Sequence, residues 1–182
     1  MSTFGLGNVK IKELNDLIKK DPKDPWPHFM LAEIYSDYDY DNAIKEYDSA
    51  ISLDPHVVDF HYKKALLLFR LGKFKEAIDC LENASLIDYS NSSMYYYFEG
   101  TLYDENKDYT HAIEKYMKAL DKDKDNIWIF EAMILDMIQV GFLDKAIEEI
   151  DKKILEDKKD VKFLSDLKEK VMRLKSNVNK SA

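Results

Sequence analysis

Tyr109-Thr110-His111-Ala112-Ile113-Glu114-Lys115-Tyr116-Met117-Lys118-Ala119 places a tyrosine three residues before an alanine, a second tyrosine four after it and a second alanine seven after it. Offsets of three, four and seven fall on one face of an α-helix. A small residue at the middle of that face lets a neighbouring helix approach closely, and the large residues beside it fill the flanks. The segment therefore reads as a packing helix. Its Ala-Ile pair recurs at Ala43-Ile44, Ala77-Ile78 and Ala146-Ile147, so the four alanines stand 34, 35 and 34 residues apart. Tyr40, Phe74 and Leu143 take the position three before, and Tyr47, Leu81 and Ile150 the position four after. Ala50 and Ala84 repeat the second alanine, whereas Lys153 replaces it in the fourth copy.

A second helix precedes each packing helix. Its small position is Ala32, Ala65 and Gly100, with Ile134 in the last copy, followed three residues on by Tyr35, Leu68, Tyr103 and Met137. The turn between the paired helices holds Gly72, Gly141 and, in the third copy, Lys107. Glycine suits such a turn because it tolerates positive φ. The first copy is one residue shorter there, in Ser36-Asp37-Tyr38-Asp39, which leaves its register open.

A helix–turn–helix unit with a period near 34 resembles the tetratricopeptide repeat. Pro55, in Leu53-Asp54-Pro55, matches that family's closing proline; Tyr89, Lys124 and Lys158 stand at the corresponding places of the later copies. The resemblance covers residues 25 to 158. It implies an all-α fold, a right-handed α-α superhelix of antiparallel helix pairs. The expected organisation is one domain, 1–182, with repeats at 25–57, 58–91, 92–125 and 126–158. A capping helix is expected at 8–21, from the apolar face Ile11, Leu14, Leu17 and Ile18, and another at 160–176, from Leu164, Leu167, Val171 and Leu174. Terminal repeats need such caps because they would otherwise expose a core face. From Ser176 onward the chain is expected to fray.

The resemblance also implies where a partner lies. In this family the first helix of each pair lines a concave face, and ligands usually rest there. On that frame the expected groove comprises Trp26, Phe29, Met30 and Glu33 from the first copy, and Tyr62, Lys63, Leu66, Phe69 and Arg70 from the second. Met94, Tyr97, Phe98 and Thr101 come from the third, and Trp128, Glu131 and Leu135 from the fourth. Asp59, Asp104, Glu105 and Ile138 sit on the same stripe. Leaving a large apolar side chain in water forgoes about 1.5–3 kcal/mol, and a cluster of them marks an interaction site. The expected occupant is an extended peptide or a helix of another protein, with basic residues beside Glu33, Asp59, Asp104, Glu105 and Glu131. Three other occupants of these positions stay open: the rings could belong to the core, the C-terminal helix could fold back over the groove, or a second copy could bury it as a homodimer.

Some of these repeats hold a chaperone's C-terminal carboxylate in a clamp of lysines, asparagines and an arginine. The corresponding places here hold Phe29, Glu33, Lys63, Met94 and Phe98, or, one copy later, Tyr62, Leu66, Phe98, Trp128 and Ala132. With Lys63 the sole cation among them, no such clamp is expected.

Composition narrows the function further. The 182 residues carry a formal net charge of −8 and a pI near 5.1. That sign opposes contact with nucleic-acid phosphates and with an anionic membrane surface. Cys80 is the single cysteine, so no intrachain disulfide can form, and its place in a packing helix reads as a small buried hydrophobe. Met1 to Gly7 lacks a basic region followed by an apolar run, so no signal peptide is expected and the expected location is the cytoplasm. His28, His56, His61 and His111 make no i, i+4 pair, and no phosphate-binding loop or nucleophile elbow occurs. The acidic runs Asp37–Asp41 and Asp121–Asp125 lack the glycine and terminal glutamate of a calcium loop. No catalytic residue, metal or cofactor is expected. The reading is a protein-interaction module, an adaptor or small chaperone; the alternative is a scaffolding subunit that self-associates.

Overall fold

The computed structural model describes residues 3–156 and 159–181, with side chains from 9–156 and 159–178. The chain divides into two compact units, residues 1–91 and 92–182. The first holds α1 (Thr3–Lys20), α2 (Trp26–Tyr35), α3 (Tyr40–Leu53), α4 (Val58–Arg70) and α5 (Phe74–Ile87), then a 3-10 turn at Tyr89–Asn91. The second holds α6 (Ser92–Glu105), α7 (Tyr109–Lys122), α8 (Ile127–Gln139), α9 (Leu143–Glu156) and α10 (Val161–Ser181). Among the described residues there is no strand, and no helix is long and apolar enough to cross a membrane.

In the first unit α2 packs on α3 and α4 on α5, with α1 against α2 and α3 against α4. In the second, α6 packs on α7, α7 on α8, α8 on α9, and α10 on α9. The repeated small residues carry these approaches: Ala32, Ala43, Ala50, Ala77, Ala84, Ala112, Ala119 and Ala146 are all fully buried. So are Tyr47, Leu81, Tyr116 and Ile150, the large residues four positions on from the alanine of each Ala-Ile pair. Gly100 shows why a small side chain is needed. A Cβ there would meet the Tyr116 ring at 2.5 Å, closer than carbon atoms can come.

The turns follow one design in three copies. Gly72, Lys107 and Gly141 adopt φ of 69°, 61° and 78°. In each case the next amide bonds back five residues: Lys73 to the Leu68 carbonyl, Asp108 to Tyr103, and Phe142 to Met137, at 2.8–2.9 Å. This left-handed closure satisfies carbonyls that a helix end leaves orphaned. The first copy closes differently. Asp39 donates its amide to the Tyr35 carbonyl at 2.7 Å with no residue in the left-handed region, as its shorter turn requires. Side-chain caps then start the next helices: Asp39 accepts from the Asn42 amide, Asp108 from His111 and Asn126 from Ile129.

Both terminal helices exceed their expected spans. α1 begins at Thr3. α10 runs to Ser181 where fraying from Ser176 was expected, because the apolar spacing continues from Val171 and Leu174 to Val178. Leu164, Leu167 and Val171 join the core of the second unit with Ala146, Ile150 and Met137, so α10 lies along α9. Lys158 lies outside the described residues. Lys153, the departure from the alanine pattern, is buried; its ammonium donates to the Lys124 carbonyl at 2.7 Å and lies 3.7 Å from Asp125.

Candidate functional site

The first helices of the first unit enclose a cavity of about 390 Å³ between α2 and α4. Five of the expected groove residues line it: Glu33, Lys63, Leu66, Phe69 and Arg70. Ser36, Asp37, Tyr47 and Leu67 complete the wall. The helical spacing of three and four puts Glu33 and Ser36 on one stripe of α2, and Lys63, Leu66 and Arg70 on one stripe of α4. The polar groups are internally balanced. Tyr47 donates its hydroxyl to the Glu33 carboxylate, Lys63 lies 3.5 Å from the other Glu33 oxygen, and Arg70 donates to the Ser36 carbonyl. Burial, with the Glu33 hydrogen bond, pushes the Tyr47 phenol well above its ordinary value, so it stays a donor. The result is a wall of three apolar side chains, Leu66, Leu67 and Phe69, flanked by two acids and two cations.

The remaining groove residues of this unit divide between surface and core. Trp26 and Met30 are 44% and 45% exposed. Phe29 is half-buried, its ring centroid 5.0 Å from Phe60 and 5.9 Å from Tyr47, so it belongs mainly to the packing between helices. Trp26 also leans on Phe60 at 5.1 Å and keeps an open edge. Tyr62 is half-buried.

In the second unit, Met94, Trp128 and Leu135 are exposed, Trp128 to 73%. Tyr97 is half-buried with its ring 5.9 Å from that of Tyr116 and 5.8 Å from Phe98. Phe98, Thr101 and Glu131 are half-buried. Thr101 donates to the Tyr97 carbonyl at 3.0 Å and hydrogen-bonds the Tyr116 hydroxyl. Burial raises the Tyr116 phenol, as it does Tyr47, its counterpart in the repeat.

Sequence reasoning passed over two features here. Asp136, on α8, is 3% exposed, and one of its carboxylate oxygens is buried without a hydrogen-bond partner. Desolvation, then the charge of Asp104 and a hydrogen bond with it, push the Asp136 carboxyl up to about 7. Glu99 on α6 is fully buried and ion-paired with Lys115 of α7. Aligning the copies two residues after the small position would have flagged Asp136, since Ile34, Leu67 and Leu102 stand there in the others.

A further cavity of about 330 Å³ lies among α7, α8 and α9, lined by Met117, Leu120, Phe130, Met133, Met137 and Lys153 with acids and lysines at its mouth. Cys80 is buried, and burial raises its thiol, which keeps it protonated and inert. Among the described residues no group of three or more His, Cys, Asp or Glu could hold a metal ion.

Comparison with known proteins bears on the repeat and the fold. Residues 39–72 match a family model described as TPR repeat, and residues 62–127 match one described as tetratricopeptide repeat. A relative from Plasmodium falciparum (isolate 3D7), the Hsp70-Hsp90 organising protein, is 30% identical over 99 residues. That match covers 51% of this chain and 18% of the relative, so the chain spans under a fifth of it. Among solved structures, MamA superimposes with a TM-score of 0.67 at 24% identity, over 88% of this chain and 94% of that one. YrrB, described as a TPR protein with an unusual peptide-binding site, gives 0.63 at 19% identity over 90% and 84%. The fold is accordingly the all-α tetratricopeptide-repeat solenoid class.

Proposed function

We propose that this chain, a tetratricopeptide-repeat protein, works by holding a peptide or helix of another protein against its first helices. The observation that carries this reading is the α2–α4 cavity, where Leu66 and Phe69 form an apolar floor between Glu33, Lys63 and Arg70. An apolar floor supplies affinity and convergent charges supply orientation. Exposed Met30, Met94 and Trp128 extend the same chemistry along the first helices of their own units. The relatives support an interaction module: one is named as an organiser of Hsp70 and Hsp90, and a neighbour in fold is described by its peptide-binding site. Work as an adaptor or small chaperone in the cytoplasm is consistent with this role, and the chemistry asks for no catalytic group or cofactor.

A photo-crosslinking amino acid tests the surface. Placed at Leu66 it should trap a partner; placed at exposed Lys75 on α5 it should not. Trapping at Lys75 alone would overturn the reading.

Exposed Leu86 and Leu155, at 80% and 82%, favour self-association through the second helices as a second reading. Sedimentation at rising concentration separates them. A constant monomer mass leaves the first-helix reading standing, and a mass doubling that is lost in Leu86→Ser/Leu155→Ser supports the second.

A further inference from the structure

The copies are built on one frame, so the α2–α4 cavity of the first unit and the equivalent positions on α6, α7 and α8 of the second can be compared one by one. Glu33, Ser36, Tyr47, Lys63, Leu67 and Arg70 correspond to Thr101, Asp104, Tyr116, Ala132, Asp136 and Gln139. The first site supplies its own cations: Lys63 answers Glu33, and Arg70 spans to the Ser36 carbonyl. The second has lost both, to Ala132 and Gln139, and in place of the one carboxylate of Glu33, which is Thr101 here, it carries two, Asp104 and Asp136. Asp136 occupies a place that is leucine or isoleucine in the other three copies. A packing position gives no reason for an acid.

Asp136 is buried, one of its oxygens has no partner, and its other interaction is with a second acid, half-buried Asp104. No lysine or arginine is among the groups acting on it. Asp104 from α6 and Tyr116 from α7 are the titratable groups that face it, and the Tyr116 phenol stays neutral. A buried carboxylate without a counter-charge is costly. Two carboxylates together can share a proton, or they can receive a cation.

We propose that the Asp104–Asp136 pair is the receptor for a cationic side chain, the guanidinium of an arginine or the ammonium of a lysine, carried by the protein partner. The incoming group takes the place that Lys63 and Arg70 fill from within at the sister site. Guanidinium suits it better, because its planar fork can bond both carboxylates at once. The inference rests on the partner-holding reading above, and it narrows that partner to one presenting a basic residue to the second unit. It also fixes a linkage: the cation must displace the shared proton, so binding strengthens as pH rises through about 7, the region where Asp136 titrates.

The test uses the whole chain with n-butylguanidinium and n-butylammonium as probes, read by carboxyl carbon NMR. Neither probe depends on the apolar groove, so failure of the groove reading and of this one are distinguishable. In the wild type the Asp136 titration midpoint should fall when butylguanidinium is added. Its affinity should rise roughly ninefold between about pH 6 and pH 8, as the ionised fraction goes from about a tenth to about nine-tenths. Asp136→Leu, which restores the residue type of the sister copies, and Asp104→Ser, which copies Ser36, should each abolish binding while circular dichroism is unchanged. An Asp136 midpoint that neither probe moves would overturn the proposal. So would an Asp136→Leu variant that binds butylguanidinium as tightly as the wild type.

Discussion

Gly100, Glu99 and Lys115 lie together where α6 meets α7, and each makes a prediction. Gly100→Ala gains about 1 kcal/mol in helix propensity but forces a methyl into the ring of buried Tyr116. Overpacking of that kind costs about 1–3 kcal/mol, so urea denaturation should show a net loss of up to about 2 kcal/mol. Lys115→Met removes the ammonium from fully buried Glu99 and should cost about 3–5 kcal/mol. Glu99→Met/Lys115→Met should recover most of that loss, since the pair's desolvation is then avoided. A double variant as unstable as the single one would mean that the pair itself, not the uncompensated charge, holds the helices.

Asp136 gives the protein a pH signature. Its folded value of about 7 lies above the ordinary 3.8, so between these the folded state binds more protons than the unfolded chain. Stability therefore falls as pH rises from about 4 towards 7 and levels off beyond, by a total on the order of a few kcal/mol. Asp136→Asn should flatten that slope in thermal midpoints measured across the range. The reading of the sequence missed this group, and the reason is physical. The repeat shows in its small and large positions, whereas the place of Asp136 holds ordinary leucine and isoleucine in the other copies. Phe29 and Tyr97 show the opposite difficulty. Their spacing assigns them to the exposed stripe, yet flat rings turn sideways onto Phe60 and Tyr116, and rotamers are not written in periodicity.

Helices and turns were more legible, because their signals are local. The Ala-Ile frame placed each packing helix, and Gly72 and Gly141 announced the left-handed closures. Lys107 adopts the same φ without being glycine, which carries a steric cost of roughly 1–2 kcal/mol. Lys107→Gly should relieve it and raise stability by up to about 1 kcal/mol after the added freedom of the unfolded chain is counted. Gly72→Ala and Gly141→Ala should lower stability by about the same amount. If Lys107→Gly is destabilising, the lysine is holding the turn through its side chain. Lys153 was legible only as a departure from alanine. That its ammonium bonds the Lys124 carbonyl, between α7 and α8, depends on the packing of α9 against α8, which no local pattern encodes. Lys153→Met should therefore lower stability by about 1.5–3 kcal/mol, the worth of a hydrogen bond from a charged donor.

For the molecule as a whole, the proposed working surface is the first helices, and the second helices pack against them as support. The resemblance carried the fold, since several positions recur together in register. It carried the partner's place only by family habit, and the geometry added content: a cavity with its own charges in the first unit, and an unanswered acid pair in the second. Tests of this surface should avoid Phe29 and Tyr97, whose truncation would injure the packing as well as the face. Met30, Leu66 and Trp128 serve better, being exposed or at the cavity wall.

The measurement that bears most directly on the central claim is affinity capture from the native lysate by the wild type beside Met30→Ser/Leu66→Ser/Trp128→Ser, with equal helicity and thermal midpoints checked first. The account predicts that a partner enriched by the wild type is lost from the folded triple variant, and that its bound segment, mapped by crosslinking, contains an arginine or lysine. Undiminished capture of the same partner by the folded variant would contradict it.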